Sequence, residues 1–239
     1  AEIDDLGARL DRLADHLERT GAAELPPTVA FPAVAVAEIP PLLAGKRIAI
    51  AHDAAYGFLY PANVDTLRAL GAELAFFSPL AGEGLPAQCD AVWLPGGYPE
   101  LHGAALAANA GLWVGLRAHV AAGKPVLAEC GGLMSLLDAI VDKVGVEHGF
   151  AGLLPGRAVM QKRLAALGMQ EVDLPGGRLT GHTFHYSRTE TPLEPWLRAC
   201  RPDGGEGEAI YRRGPITASY VHFWFPSNPV AAAGLFGGG

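Results

Sequence analysis

Between residues 46 and 130, short apolar runs alternate with helical stretches over short connections. This alternation constrains the fold more than any other feature, because parallel strands need crossover connections, and the usual crossover is a helix. The runs at 47–51, 73–77, 90–94 and 125–128 read as strands. The stretch 63–70, closed by Gly71, and the stretch 104–122, broken near Gly111 and closed at Gly123, read as helices. After about residue 150 the pattern changes: 157–160, 170–173, 178–186, 208–211 and 216–223 are predicted strands, with no full crossover helix between the last two. These are expected to add to the sheet in antiparallel fashion. A last helix is predicted over 227–235, with Ser227 or Asn228 near its N-cap. The fold class expected is α/β: an open, mainly parallel sheet with helices on both faces and antiparallel additions in the C-terminal half. In such sheets functional groups gather at the carboxyl ends of the strands. Here those ends carry His52-Asp53, Ser78-Pro79, Gly96-Gly97-Tyr98 and Cys130.

Ahead of this region, Ile3, Leu6, Leu10, Leu13 and Leu17 recur at helical spacing, so residues 3–20 read as an amphipathic packing helix. Pro26, Pro27, Pro32, Pro40 and Pro41 mark 21–45 as a linker, since proline at that density blocks helix and central strand alike. Half of the 239 residues are hydrophobic, enough for a large core. The net charge of -7 leaves no basic footprint for nucleic acid, and no apolar run reaches the length of a membrane span. The opening residues lack a basic secretory n-region, and three widely spaced cysteines do not form a disulfide framework. A cytoplasmic protein is expected, with a homodimer admitted.

Cys130 ends an apolar run and is followed by two glycines and then Leu133, Met134, Leu136 and Leu137. This reads as a strand, a tight turn and a helix with a thiol at the turn, where the helix N-terminus would lower the thiol pKa. A buried, inert cysteine is the competing reading. A cysteine nucleophile needs a base. Of eight histidines, His16 and His119 fall in predicted surface helices, whereas His222 ends an apolar run far downstream. Cysteine first and histidine later, both at strand ends, is the order of a Cys–His hydrolase on an open α/β sheet. Backbone N–H groups at Gly96, Gly97 and Gly131 could hold an oxyanion. No phosphate-binding loop is present. His182 and His185 with His222 could only weakly suggest a metal site, since i and i+3 on a strand face opposite ways; no metal is expected.

The motifs Ala128-Glu129-Cys130-Gly131-Gly132-Leu133-Met134, Gly96-Gly97-Tyr98-Pro99-Glu100-Leu101-His102, Phe77-Ser78-Pro79-Leu80, Gly181-His182-Thr183-Phe184-His185-Tyr186-Ser187 and Ser219-Tyr220-Val221-His222 together resemble the glutaminase domain of cobyrinate a,c-diamide synthases. These belong to the class I glutamine amidotransferases of the cobyrinate and cobyrate synthase type. The similarity runs over 46–229. It implies a flavodoxin-like amidotransferase fold and hydrolysis of L-glutamine through a cysteine thioester, with Cys130 as nucleophile and His222 as base. It also implies an N-terminal ATP-dependent synthetase domain as partner, which uses ATP and Mg²⁺ to amidate the a and c carboxylates of a tetrapyrrole. Residues 1–20 would then be the last helix of that domain, 21–45 the linker and 46–239 the glutaminase domain. No cofactor is expected in this chain. Tyr98, Glu100 and His102 could line the glutamine pocket or merely pack the loop. His185 and Tyr186 could bind substrate or face the tetrapyrrole side, or be structural.

The sequence departs from the family pattern at Trp224, where a second histidine is common. With no glutamate two residues after His222, a dyad is expected, or a third member from elsewhere. The rival readings are a synthase acting on hydrogenobyrinate or nickel sirohydrochlorin, another Cys–His hydrolase of this fold, and a scaffold with an inert thiol.

Overall fold

A computed structural model describes residues 5–31 and 40–237. Residues 32–39 of the linker expected over 21–45, the first residues of the expected amino-terminal helix and the two closing glycines lie outside the described residues. The chain divides into two compact units, Ala1–Glu38 and Ile39–Gly239. In the first, α1 (Leu6–Arg19) forms as its leucine spacing predicts, and Leu6, Leu10, Leu13 and Leu17 are all exposed along one stripe.

The second unit carries β1 (Arg47–Ala51), α2 (Pro61–Ala69), β2 (Glu73–Phe77), β3 (Ala91–Leu94), α3 (Gly103–Ala108), α4 (Ala110–Ala121), β4 (Val126–Glu129) and α5 (Gly131–Leu136). There follow β5 (Ala139–Val141), β6 (Glu147–Gly149), β7 (Arg157–Met160), β8 (Ala166–Leu174), β9 (Gly177–His185), β10 (Ser187–Glu190), β11 (Leu197–Cys200), β12 (Glu206–Arg213), β13 (Ile216–Ser219), β14 (His222–Phe223) and α6 (Pro229–Gly234). The main sheet has ten strands in the order β14-β9-β8-β11-β12-β13-β4-β3-β1-β2. Pairing is parallel from β2 through β13 and antiparallel from β13 outward to β14.

The strand alternation places Ile48, Ile50 and Trp93 on one face and Ala49, Ala51, Val92 and Leu94 on the other. The first face is covered by Leu67 of α2 and Ala231, Ala232 and Ala233 of α6; the second by Leu106, Leu112, Leu116 and Leu133 of α3, α4 and α5. Helices on both faces are thus as expected. The core reaches upstream of β1: Leu43 is fully buried, and its N–H donates to the Leu70 carbonyl at 2.8 Å. No helix among the described residues is long and apolar enough to cross a membrane.

Several expectations change. The helix break falls at Asn109, whose side chain accepts from the Leu112 N–H and caps α4, so Gly111 lies inside a helix. His119 is buried, not on the surface; its Nε2 lies 3.1 Å from the Pro125 carbonyl. The run 157–160 joins a separate four-stranded sheet, β10-β7-β5-β6, instead of extending the main one. The run 216–223 is two strands, not one. β13 inserts beside β4 and runs parallel to it, whereas β14 lies at the far edge of the sheet against β9. The break between them is local hydrogen-bond chemistry. Ser219 Oγ accepts the Val221 N–H at 3.1 Å and donates to the Ala209 carbonyl at 2.9 Å, turning the chain off the ladder.

Asn228 is the N-cap of α6, with its side chain accepting from the Ala231 N–H at 3.0 Å, and it also donates to the Gly176 and Arg178 carbonyls at 3.2 Å. One side chain therefore fixes both the helix and the β8–β9 turn. Asn228→Ala should lower stability by about 0.5–2 kcal/mol, measured by urea denaturation, with the urea dependence of the unfolding free energy unchanged.

Candidate active site

Cys130 sits where β4 meets α5, with φ 47 and ψ -105. Such a backbone costs a side-chain-bearing residue about 1–3 kcal/mol and persists only where the surroundings enforce it. Here they do. The Cys130 N–H donates to the Ser219 carbonyl at 2.8 Å, and the Cys130 carbonyl accepts from the Met134 N–H at 3.0 Å. The elbow expected from the sequence is therefore present. Its thiol is not activated as expected: burial pushes Cys130 up to about 12, outweighing the Gly131 N–H that pulls it down, and Glu100, Glu129 and Glu208 push it up further.

The loop after β3 packs against this elbow. A Cβ on Gly131 would lie 2.8 Å from Pro99 Cδ and 3.1 Å from the Gly97 nitrogen, so a side chain there would push the glycine loop away. The Gly97 N–H has no partner among the described residues, and its nitrogen lies close to Gly131. The N–H groups of these two glycines suit an oxyanion. Gly96 also leaves space for His222: a Cβ there would overlap the His222 imidazole, and the Gly96 carbonyl accepts from the Phe58 N–H at 3.0 Å.

The loop after β1 holds the others in place. The Asp53 carboxylate accepts from the Ala55 and Leu80 N–H groups, each at 2.8 Å, and from Ser78 Oγ at 3.0 Å. The Ala55 carbonyl then accepts from the Tyr98 N–H at 2.9 Å. The Ser78-Pro79-Leu80 segment thus acts through Asp53 on the glycine loop.

His222 opens β14 and is 2% exposed. Its ring is stacked on His182 at 5.0 Å and lies near Phe58 at 5.8 Å and Tyr60 at 6.5 Å. Nδ1 is buried without a hydrogen-bond partner, and no hydrogen bond joins the imidazole to the Cys130 sulfur among the described residues. Burial, followed by the neighbouring His182 and His185, pulls His222 down to about 3. Burial thus favours the neutral form of both thiol and imidazole, and His222 does not line the cavity on which Cys130 opens. Trp224, at the position of the missing histidine, is 42% exposed. The second imidazole comes instead from His182, held by Tyr60 Oη at 3.2 Å from its Nε2.

Cys130 opens into a cavity of about 280 Å³ that is also lined by Gly97, Tyr98, Glu100, His185 and Tyr186. The structure so gathers five of the expected residues around the thiol. His102 does not line it; it ends the short turn before α3. Nor do the histidines of 182–185 act together. His185 Nδ1 lies 2.8 Å from the Ser187 carbonyl and its Nε2 3.0 Å from Glu208, while the ring stacks on Tyr220 at 3.7 Å. His185 is thus a fixed wall of the cavity. Sequence reasoning missed Lys143, Met160, Phe184 and Ser187, which also line it. Met160 and Ser187 border on β7 and β10, strands of the separate sheet, and no local signal at Lys143 marks it as facing Cys130. Burial raises Glu100, and nearby Lys143 pulls it back.

Sequence reasoning also missed Glu129, named only within the motif around Cys130. It is 2% exposed and accepts from the Phe223 N–H at 2.9 Å and from Trp93 Nε1 at 2.8 Å. Burial nevertheless pushes its carboxyl up to about 8.

The neutral state of His222 has a consequence for stability. The unfolded chain protonates this histidine below about pH 6.5, and the folded chain only near pH 3. The stability it contributes is present above the first value and lost as pH falls towards the second. In His222→Gln the melting temperature should fall less steeply between about pH 6 and 4, as read by calorimetry across that range.

Residues 47–230 match the CobB/CobQ-like glutamine amidotransferase domain family. The chain is 55% identical over 235 residues to a hydrogenobyrinate a,c-diamide synthase of Stutzerimonas stutzeri, covering 98% of this chain and 54% of that protein. It is 46% identical over 238 residues to a cobyrinate a,c-diamide synthase of Herminiimonas arsenicoxydans, covering 98% and 54%. The chain thus spans about half the length of these curated relatives, which hold a further region beside the matched one. Among solved structures, a glutamine amidotransferase superposes with a TM-score of 0.55 at 20% identity, covering 79% of this chain and 96% of the other. PurLQS of Thermotoga maritima gives 0.53 at 13% identity, covering 81% and 96%, and at such identities the likeness speaks for the fold. With an α/β sheet, a cysteine elbow and a glycine loop in the arrangement just described, the chain belongs to the CobB/CobQ-like glutamine amidotransferase domain family.

Proposed function

We propose that this domain hydrolyses glutamine and supplies ammonia to an ATP-dependent synthetase region, which amidates the a and c carboxylates of cobyrinate. The observation that carries this reading is the strained Cys130 elbow opening into one small cavity beside the unpartnered Gly97 N–H. The Cys130 sulfur attacks the amide carbon of glutamine. The S–C bond forms as His222 takes the thiol proton and charge moves to the carbonyl oxygen, where the Gly97 and Gly131 N–H groups receive it. The neutral resting forms favour this concerted transfer, because a free thiolate and imidazolium would both be costly when so buried. His222 then protonates the departing ammonia. Water, its proton taken by the same imidazole, hydrolyses the thioester to glutamate and returns the thiol.

Glu100 and Lys143 bring charges of opposite sign into the cavity, which match the ammonium and carboxylate of an amino acid. ATP and Mg²⁺ belong to the synthetase region of the longer protein, since this chain has no phosphate-binding loop. The exposed leucine stripe of α1 suits cover by that region. A second reading, hydrogenobyrinate as the acceptor acid, is favoured by the name of the Stutzerimonas relative. Assays of the full-length enzyme on each acid separate the two.

Glutaminase activity of the full-length enzyme should vanish in Cys130→Ser, together with labelling by a diazo-oxo-norleucine probe, and fall by roughly two to four decades in His222→Ala. Persistent labelling in Cys130→Ser would sink the assignment. Glu100→Gln should raise the glutamine KM by about 10- to 100-fold, the scale of a lost charged hydrogen bond, with kcat changed far less in steady-state assays.

A further inference from the structure

Strand β14 is two residues long and lies at the edge of the main sheet. The Trp224 N–H donates to the Thr180 carbonyl on β9 at 2.8 Å. By the alternation of an antiparallel ladder, the N–H and carbonyl of Phe223 face the opposite way, where the sheet has no further strand. Buried peptide groups there need partners from elsewhere. Two side chains supply them. Glu129 accepts from the Phe223 N–H at 2.9 Å, Asn63 Nδ2 donates to the Phe223 carbonyl at 2.7 Å, and Asn63 Oδ1 accepts from the Phe225 N–H at 2.9 Å. Asn63 is fully buried in α2, and both ends of its amide are used.

We propose that Glu129 and Asn63 form a clamp on the Phe223 peptide that positions His222 against Cys130, in place of the third member of a catalytic triad. The inference rests on the glutaminase reading for its catalytic consequence, but the clamp itself does not. Glu129 directly precedes the nucleophile, so a single side chain links the backbone of the sulfur to the backbone next to the base. Another strand paired on that edge would fill the space between them. Side-chain partners fix β14 while leaving the site open.

The two carboxyl oxygens of Glu129 face two donors, Phe223 N–H at Oε1 and Trp93 Nε1 at Oε2. An amide offers only one acceptor, so in Glu129→Gln one donor faces an NH₂ group. This variant of the full-length protein should lose about 10- to 100-fold in glutaminase kcat, the cost of misplacing a catalytic group by about 1 Å, with KM within about threefold. Deuterium exchange in the peptide 221–225, read by mass spectrometry, should quicken. Adding Trp93→Phe removes the competing donor, so the double variant should regain most of the kcat and of the exchange protection. Asn63→Leu, which has neither donor nor acceptor to offer the Phe223 carbonyl or the Phe225 N–H, should quicken the same exchange without touching Glu129. Unchanged exchange in both single variants overturns the clamp, even if the wild-type protein hydrolyses no glutamine. Quickened exchange with unchanged kcat overturns the positioning role alone. A double variant no better than Glu129→Gln in both readouts overturns the two-donor account.

Discussion

The strained backbone at Cys130 is the constraint to which the rest of the second unit is fitted. A residue with a side chain stays at that φ only if the chain before and after it is fixed. Strand β4 is held on both sides by parallel neighbours, β3 and β13, and the Ser219 carbonyl of β13 takes the Cys130 N–H itself. Helix α5 then starts at once, buried along its whole length. The strain is offset by packing across the entire sheet and is concentrated at one sulfur.

A second effect governs the chemistry. The groups of the site are buried, so burial outweighs the Gly131 N–H at Cys130 and outweighs two N–H donors at Glu129. The same burial keeps His222 neutral. Charge in such a site is favoured only where oriented donors await it. An environment of this kind stabilises a passing charge better than a resting one.

Local sequence made much of this legible. The elbow followed from Val126 to Met134, since an apolar run ended by a cysteine and two glycines has few other conformations. The parallel half of the sheet followed from strands and helices in alternation. Tyr98 and Glu100, named for the pocket by motif, line the cavity, whereas His102, named with them, does not. Where reasoning failed, the cause was long-range. The run 216–223 looks like one strand in sequence, and only the Ser219 side chain and the distant partners of each half divide it. His119 looks like a surface residue on its helix but is buried beneath the Pro125 carbonyl. Glu129 gave no local signal of its role, because its partners lie 36 and 94 residues away.

By itself, then, the sequence determined the elbow at Cys130, the glycine loop and the class of fold, because each is a local pattern of side-chain size, turn chemistry or periodicity. The tertiary structure decided the burial that disfavours charge on Cys130 and His222, the space that Gly96 leaves for His222, and the hydrogen bonds that hold the strand on which His222 lies. Those depend on burial and on hydrogen bonds between residues far apart in the chain, and neither quantity is written in any short stretch of it.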